Sequence, residues 1–303
     1  MRLDKFLSEK LKENRSQIQN LIKKGLVKVN NKVITKTGFN VNENDKIEIN
    51  KIEEKKEYKK VNFDIEILYE DEDLLVINKP PFIVVHPAPS VKEATVVDWL
   101  KEKNISLSTI AGEERFGIVH RIDKETSGAL VIAKNNKTHE FLSNQLKNKS
   151  MGRYYLMLLN QELKEAKCVN KPIARNPKNR LKMGYVKNGK EAKTLFVPLF
   201  KNLTAAKLFT GRTHQIRVHL QTINRFILGD RLYGKKEQLI KRVMLHAYKI
   251  YFIHPSGKKL SIIAPLFEDF KSQLPKGVNN ETIDNISNIF NDYNWMCNKP
   301  TNS

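Results

Sequence analysis

Residues 117–128 read GIVHRIDKETSG and run directly into the apolar stretch ALVIA at 129–133. Asp123 follows Arg121 by two positions, with Lys124 and Glu125 behind it. A carboxylate at the mouth of a buried strand is strongly unfavourable unless cations or hydrogen-bond donors hold it. Once held, it can act as a nucleophile or a general base. A second charged group lies in TGRTHQIRVHL at 210–220, where Arg212, His214, Arg217 and His219 follow a glycine turn. A helix is expected there from about Thr213. Its amide groups and two arginines would bind an anion or pair with a carboxylate. The histidines read as packed or hydrogen-bonded residues, since no third ligand stands within reach for a metal. A third feature is Tyr154-Tyr155, adjacent in a strand-like run, so only one of them can share a site with Asp123.

Strands must carry these residues. Runs at 65–70, 73–80 and 83–87 are apolar and bounded by proline, with turns at Lys79-Pro80-Pro81 and His86-Pro87. A helix opens at Thr95–Trp99. The stretch 117–134 then reads strand, charged loop, strand, which places Asp123 on a loop that a sheet can hold rigid. A helix over about 137–147, a strand at 152–159 and a closing strand at 245–255 follow. The basic segment 178–196 reads as a hairpin turning near Asn188-Gly189, either against RNA or exposed.

Ahead of this, Leu3, Phe6, Leu7 and Leu11 repeat at helical spacing, as do Ile18, Leu21 and Ile22. Two amphipathic helices, over 3–11 and 15–24, are expected, with Ser16 as an early cap and Gly25 as the stop. Short strands follow near 27–29, 32–34 and 46–49, the first two joined at Asn30-Asn31. Arg2, Lys5, Arg15, Lys23, Lys24 and Lys28 fall outside the apolar stripe and make a surface suited to phosphates. The run KIEEKKEYKK at 51–60 has no apolar period and reads as a linker. Ile283, Ile286, Phe290 and Tyr293 suggest a short helix in the tail at 276–303.

The 303 residues carry a formal net charge of +21, which points to a polyanionic partner, nucleic acid before an anionic membrane. Their 40% hydrophobic content supports a real core. The two cysteines, Cys168 and Cys297, stand far apart without ligand neighbours, which argues against a disulfide framework or zinc site and for a reducing compartment. With no apolar run of membrane length and no signal-like start, the chain is expected to be cytoplasmic.

The N-terminal fifty residues resemble the ribosomal-protein-S-four-like RNA-binding domain, through RLDKFL, RSQIQNLIKKGLVKVNNKVI and NDKIEI. Residues 61–275 resemble the RluA/RluD-type pseudouridine synthases. The matching strings are INKPPFIVVHP at 77–87, GIVHRIDKETSGALVIAK at 117–134, RYYLMLL at 153–159, GKEAKT at 189–194 and TGRTHQIRVHL at 210–220, in family order. Ile122 and Glu125 are conservative departures, and Phe267 stands where proline is usual. The resemblance implies an α+β fold: a mixed, largely antiparallel central sheet with flanking helices behind a small N-terminal RNA-binding domain. Asp123 would be the catalytic aspartate, Tyr155 the active-site tyrosine, and Arg217 the arginine paired with Asp123, with Arg212 an alternative that spacing leaves open. Arg121 would help move the target uridine out of its stack, and Arg212 would contact RNA.

Domain limits of 1–50, 51–60, 61–275 and 276–303 follow from the two resemblances. The implied activity isomerises uridine in structured RNA without metal or cofactor, since nothing is oxidised or added. The implied partner is 23S-type ribosomal RNA, with transfer RNA open, and the implied state is a monomer. Two other readings compete. A non-catalytic RNA-binding or ribosome-assembly factor would share the basic surface but would not need Asp123, Tyr155 and an arginine together. An RNA glycosidase would want a second acid, for which Glu125 is the neighbouring candidate.

Overall fold

A computed structural model describes residues 1–11, 15–42, 44–50, 59–88, 91–112, 115–234 and 240–297. The chain divides into two compact units, Met1–Tyr58 and Lys59–Ser303. In the first, helices α1 (Leu3–Leu11) and α2 (Arg15–Lys23) cover a three-stranded antiparallel sheet of β1 (Val27–Val29), β2 (Lys32–Ile34) and β3 (Ile47–Ile49), in order β2-β1-β3. Leu3, Leu7, Ile18, Ile22, Val27, Val29 and Val41 form its core, so the helical spacing in the sequence does become one shared apolar face. Asn30 and Asn31 both take positive φ, 50° and 67°, as a tight β1–β2 turn requires. Ser16 falls inside α2 rather than ahead of it. Most of the linker segment, 51–58, lies outside the described residues.

The second unit begins with β4 (Glu66–Glu70), β5 (Leu74–Lys79), α3 (Val96–Glu102), β6 (Ser127–Ala133), α4 (Asn136–Asn148) and β7 (Gly152–Leu158). It continues through β8 (Lys167–Asn170), β9 (Ile173–Arg175), β10 (Met183–Tyr185), β11 (Lys193–Phe200), β12 (Leu203–Leu208) and α5 (Gln215–Gln221). It ends with β13 (Leu245–Ile253), β14 (Lys259–Ile263), α6 (Glu268–Lys271), α7 (Asn280–Asp284) and α8 (Ile286–Tyr293). Nine of these strands form one sheet in the order β4-β5-β6-β13-β7-β12-β11-β8, with β14 added beside β13. Every pairing in it is antiparallel except β6 with β13, so the sheet is mixed and largely antiparallel with flanking helices.

Alternate residues of β5 and β6 enter different cores. Leu74, Val76, Ala129 and Val131 pack with Leu142 of α4, whereas Leu75, Ile77, Leu130 and Ile132 join the larger core that holds Trp99 of α3. Both faces of these strands are therefore covered, which explains their unbroken apolar sequence. The tail belongs to the larger core as well. Ile283, Ile286 and Phe290 are buried there, and Phe290 stacks on Tyr154 with ring centroids 4.9 Å apart.

Several sequence expectations require correction. Residues 83–87 are not a strand. Phe82 takes φ 69° after two prolines, and the carbonyls of Val84 and Val85 accept hydrogen bonds from the N–H groups of Val96 and Val97, at the opening of α3. Ahead of the Asp123 loop the described residues form an isolated bridge, Ile118 to Ile132, in place of the expected strand. The basic hairpin is β9–β10, turning through 176–182, while β11 pairs with β8 and β12. Strand β13 does not close the sheet but lies inside it. The cysteines also differ from expectation: Cys168 on β8 and Cys297 are disulfide-bonded, with Cα atoms 5.5 Å apart. Their separation of 129 residues hid a contact created by the tail's return to the β8 edge, and the argument for a reducing compartment loses its footing.

Candidate active site

The loop at 121–126 sits where β6 starts beside β13. A Cβ at Gly128 would stand 2.3 Å from the carbonyl oxygen of Ala247, so only glycine allows the two strands to meet there. Buried cations hold the loop from beneath. The Lys79 ammonium donates to the carbonyls of Pro80 (2.7 Å), Ile83 (2.9 Å) and Lys124 (3.3 Å). Burial, and then the Arg242 charge, pulls its pKa down to about 7. Arg242 is anchored to the Asp269 carboxylate and donates to the carbonyl of Glu125 at 3.4 Å. Glu125 Oε2 accepts from the Val243 N–H at 3.2 Å, so this carboxylate is engaged with backbone.

Held in this way, Asp123 lines a cleft with Tyr155, Arg217, His214, Arg153, Arg212 and Arg121. Its Oδ2 accepts from Arg217 Nη1 at 3.3 Å. Oδ1 enters no hydrogen bond among the described residues. Tyr155 and Arg153 share one face of β7, while Tyr154 turns to the other and packs on Phe290 and Tyr251. Burial raises the pKa of the Tyr155 hydroxyl, so the ring presents a neutral aromatic wall.

The ion pair between Arg217 and Asp123 is geometric fact, but it is not Arg217's strongest contact. Its Nε and Nη2 fork onto Asp230 at 2.7 and 2.8 Å, and its guanidinium lies 4.9 Å from the Tyr233 ring centroid. Asp230 is almost fully buried and also accepts from the N–H groups of Leu232 and Tyr233, both at 3.0 Å. Burial works against the Arg217 charge, but Asp230 and then Asp123 outweigh it and hold the guanidinium protonated. Asp230 thereby aims the remaining edge of the fork at Asp123.

Arg212 is placed differently: its Nε donates to the carbonyl of Glu191 at 2.9 Å, on an exposed rim. Helix α5 begins at Gln215 rather than Thr213, because His214 takes φ 56° and breaks the helical run. The Gln215 amide then ties the loop down, accepting from Thr210 and Arg212 and donating to Lys193 and Thr194. His219 is the packed histidine the sequence suggested, bonded to Thr194 and the Lys171 carbonyl. His214 is hydrogen-bonded too, its Nδ1 lying 2.9 Å from the Tyr233 hydroxyl, but it also lines the cleft, with Nε2 3.9 Å from Asp123 Oδ2. Burial lowers its pKa against the opposing pull of Asp123. Arg121 is exposed at the cleft, with Nη1 3.4 Å from His86 Nε2. Burial, then Arg121, lowers the pKa of His86 to about 4, leaving it a neutral acceptor.

In the first unit, Arg2 and Arg15 both bond the buried Asp4 carboxylate, as does Gln19 at 2.7 Å. Two of the expected RNA-facing cations thus share one internal anion, although each remains about half exposed. Lys5 faces Glu9 at 3.9 Å, Lys28 lies opposite Glu48, and Lys23 and Lys24 are exposed. Sequence reasoning missed Lys79, Arg153, Asp230 and Tyr233. A lysine and an aspartate within otherwise apolar surroundings were the available signals. Among the described residues no cluster of three or more His, Cys, Asp or Glu side chains could hold a metal, and no helix is long and apolar enough to cross a membrane.

Comparison with known proteins identifies two matching families. Residues 73–222 match the RNA pseudouridylate synthase model, and residues 1–47 match the S4 domain. A protein of Helicobacter pylori named as an uncharacterized RNA pseudouridine synthase is 50% identical over 302 residues, covering 94% of this chain and 92% of the relative. A Zymomonas mobilis protein named ribosomal large subunit pseudouridine synthase D is 41% identical over 225 residues, covering 68% of this chain and 71% of the relative. The solved structure of human RNA pseudouridylate synthase domain containing 1 shares the fold. Its TM-score is 0.59 at 22% identity, covering 74% of this chain and 95% of that one.

Proposed function

The chain belongs to the RNA pseudouridylate synthase family, and from that premise we propose that it isomerises uridines of 23S-type ribosomal RNA with Asp123 as its reacting carboxylate. It is an RNA pseudouridine synthase, an isomerase, with an S4 domain ahead of the synthase domain. The ribosomal substrate rests on the printed name of the Zymomonas mobilis relative. The observation that carries the role of Asp123 is the asymmetry of its carboxylate: one oxygen is paired with Arg217 and the other is open in the cleft beside Tyr155.

The reaction breaks the bond between the sugar's anomeric carbon and the base nitrogen, turns the base, and rejoins it through carbon 5. An ionised Asp123 can attack the anomeric carbon or take the proton from the neighbouring sugar carbon. Arg217, fixed by Asp230, bonds one carboxylate oxygen and limits its rotation. Tyr155 gives the detached base a flat wall while it turns. A stacked uridine must leave the helix first, at a cost of a few kcal/mol that basic contacts offset. Arg121, exposed at the cleft, would take part in that step. The N-terminal unit would position structured RNA through its backbone.

The test is Asp123→Asn in the full-length protein, assayed by tritium release from RNA labelled at carbon 5 of uracil, alongside RNA binding and a thermal melt. The variant should fold and bind RNA without turnover, and turnover within a few-fold of wild type would overturn the assignment. Mapping pseudouridine in total RNA with and without the protein tests the ribosomal substrate.

A further inference from the structure

Among the described residues, the buried cations beneath or beside the cleft have polar partners in the protein, with Arg153 the exception. Arg217 is forked onto Asp230, Arg242 onto Asp269, and Lys79 onto three carbonyls. Arg153, on β7 two residues before Tyr155, is 8% exposed and lines the cleft. Its Nε is buried without a hydrogen-bond partner, and no carboxylate among the described residues pairs with its guanidinium. His120 cannot compensate it: burial, reinforced by the Arg153 charge, holds that imidazole neutral. The neighbouring Tyr155 is a neutral phenol.

A largely buried guanidinium with no ion-pair partner is left to find an anion through the atoms it turns to the cleft. The fold nevertheless leaves room for it. At Gly211 a Cβ would lie 3.2 and 3.4 Å from Arg153 Nη2 and Nη1, so the turn that leads to Arg212 and His214 passes over the guanidinium without a side chain. The guanidinium therefore faces the cleft, where Asp123 is the carboxylate nearby but is paired with Arg217, and an anion bound in the cleft can reach it.

We propose that Arg153 is a phosphate-binding residue of the cleft, taking the phosphodiester that flanks the target uridine. This rests on the reading that the cleft receives a flipped uridine. Flipping swings the nucleotide about its own backbone, which brings the flanking phosphate to the cleft with the base. A phosphodiester supplies the full negative charge and two oxygens matched to the guanidinium fork, whereas a uracil carbonyl would leave the charge uncompensated.

The experiment uses full-length Arg153→Met and Arg153→Lys with a pseudouridine-free transcript of large-subunit ribosomal RNA. Without RNA, Arg153→Met should melt no lower than wild type, because it removes a largely buried guanidinium that has no ion-pair partner and keeps the volume. Its affinity for the transcript should nevertheless fall about tenfold, and the plot of log affinity against log salt should become shallower by ~0.7–0.9, one phosphate contact. Arg153→Lys should keep the salt slope and part of the affinity. Uridine 5′-monophosphate should inhibit wild type more strongly than uridine or inorganic phosphate, and this preference should vanish in Arg153→Met.

An unchanged slope and affinity in Arg153→Met overturns the proposal, as does a lowered melting temperature restored by lysine, which would give the guanidinium a purely structural task. Loss confined to kcat with an unchanged slope would mean a contact with the base and also overturns it. Equal inhibition by inorganic phosphate would mean an unspecific anion site, again against the proposal. Asp123→Asn separates the two readings. If it turns over, the premise about the cleft fails; if it is inactive while Arg153→Met keeps the wild-type slope, only the phosphate assignment fails.

Discussion

Replacing Arg217 by methionine removes one cation from between two carboxylates, and the structure assigns a different cost to each. At 3.3 Å the Asp123 pair would interact by about 5 kcal/mol at an effective dielectric constant of ~20. The Asp123 side chain is 21% exposed, so water screens part of this, and ~3 kcal/mol is a working figure. If that interaction serves the transition state, the rate falls ~100-fold or more. Asp230 is 1% exposed and loses both fork contacts, retaining the two turn N–H groups. Breaking such a buried pair costs about 3–5 kcal/mol, and the remaining donors favour the low end. A melting temperature lower by roughly 6–12 °C would follow for a unit of this size.

The double variant Arg217→Met/Asp230→Asn separates the two effects. Neutralising Asp230 should recover at least half of the lost melting temperature while leaving turnover as low as in the single variant. Arg217→Lys can serve one carboxylate but not both, and should recover part of the rate. Arg212→Met, which alters a rim contact to a carbonyl, should weaken RNA binding and spare the single-turnover rate. The assay is single-turnover tritium release at saturating RNA with parallel melts. An Arg217→Met rate within threefold of wild type, or a double variant that regains turnover with stability, would refute the assignment; a crippled Arg212→Met beside a healthy Arg217→Met would reverse it.

Removing residues 1–50 should lower the apparent affinity for long structured RNA and flatten its salt dependence while leaving chemistry measurable on small substrates; unchanged affinity and slope would assign the S4 domain another task. Asp4 gives the N-terminal unit a defined acid limit. Burial raises its pKa, but hydrogen bonds from Gln19, Arg2 and Arg15 outweigh this and hold it at about 2. Since the folded pKa lies below the unfolded one, this stabilisation is complete above about pH 4 and lost as pH falls towards 2. Asp4→Asn should abolish that dependence in an acid titration of the unit's amide signals.

What the sequence determined by itself was local or short in range. Helical spacing in Leu3, Leu7, Ile18 and Ile22, and continuous apolar runs in β5 and β6, specify elements because a side chain's face depends only on backbone period. The string around Asp123 likewise placed a carboxylate at the entrance of a buried strand, and the resemblance across residues 61–275 named the family that comparison then supported. Tertiary structure decided whatever depends on charges and chain segments meeting across the fold. Arg217 finds Asp230 first and Asp123 second, a hierarchy set by burial and fork geometry. The β9–β10 pairing displaced the expected hairpin at Asn188-Gly189 because β11 had long-range partners in β8 and β12. Cys168 met Cys297 only through the tail's return. The isolation of Arg153 was equally invisible, since residue order does not reveal that a largely buried cation has no ion-pair partner.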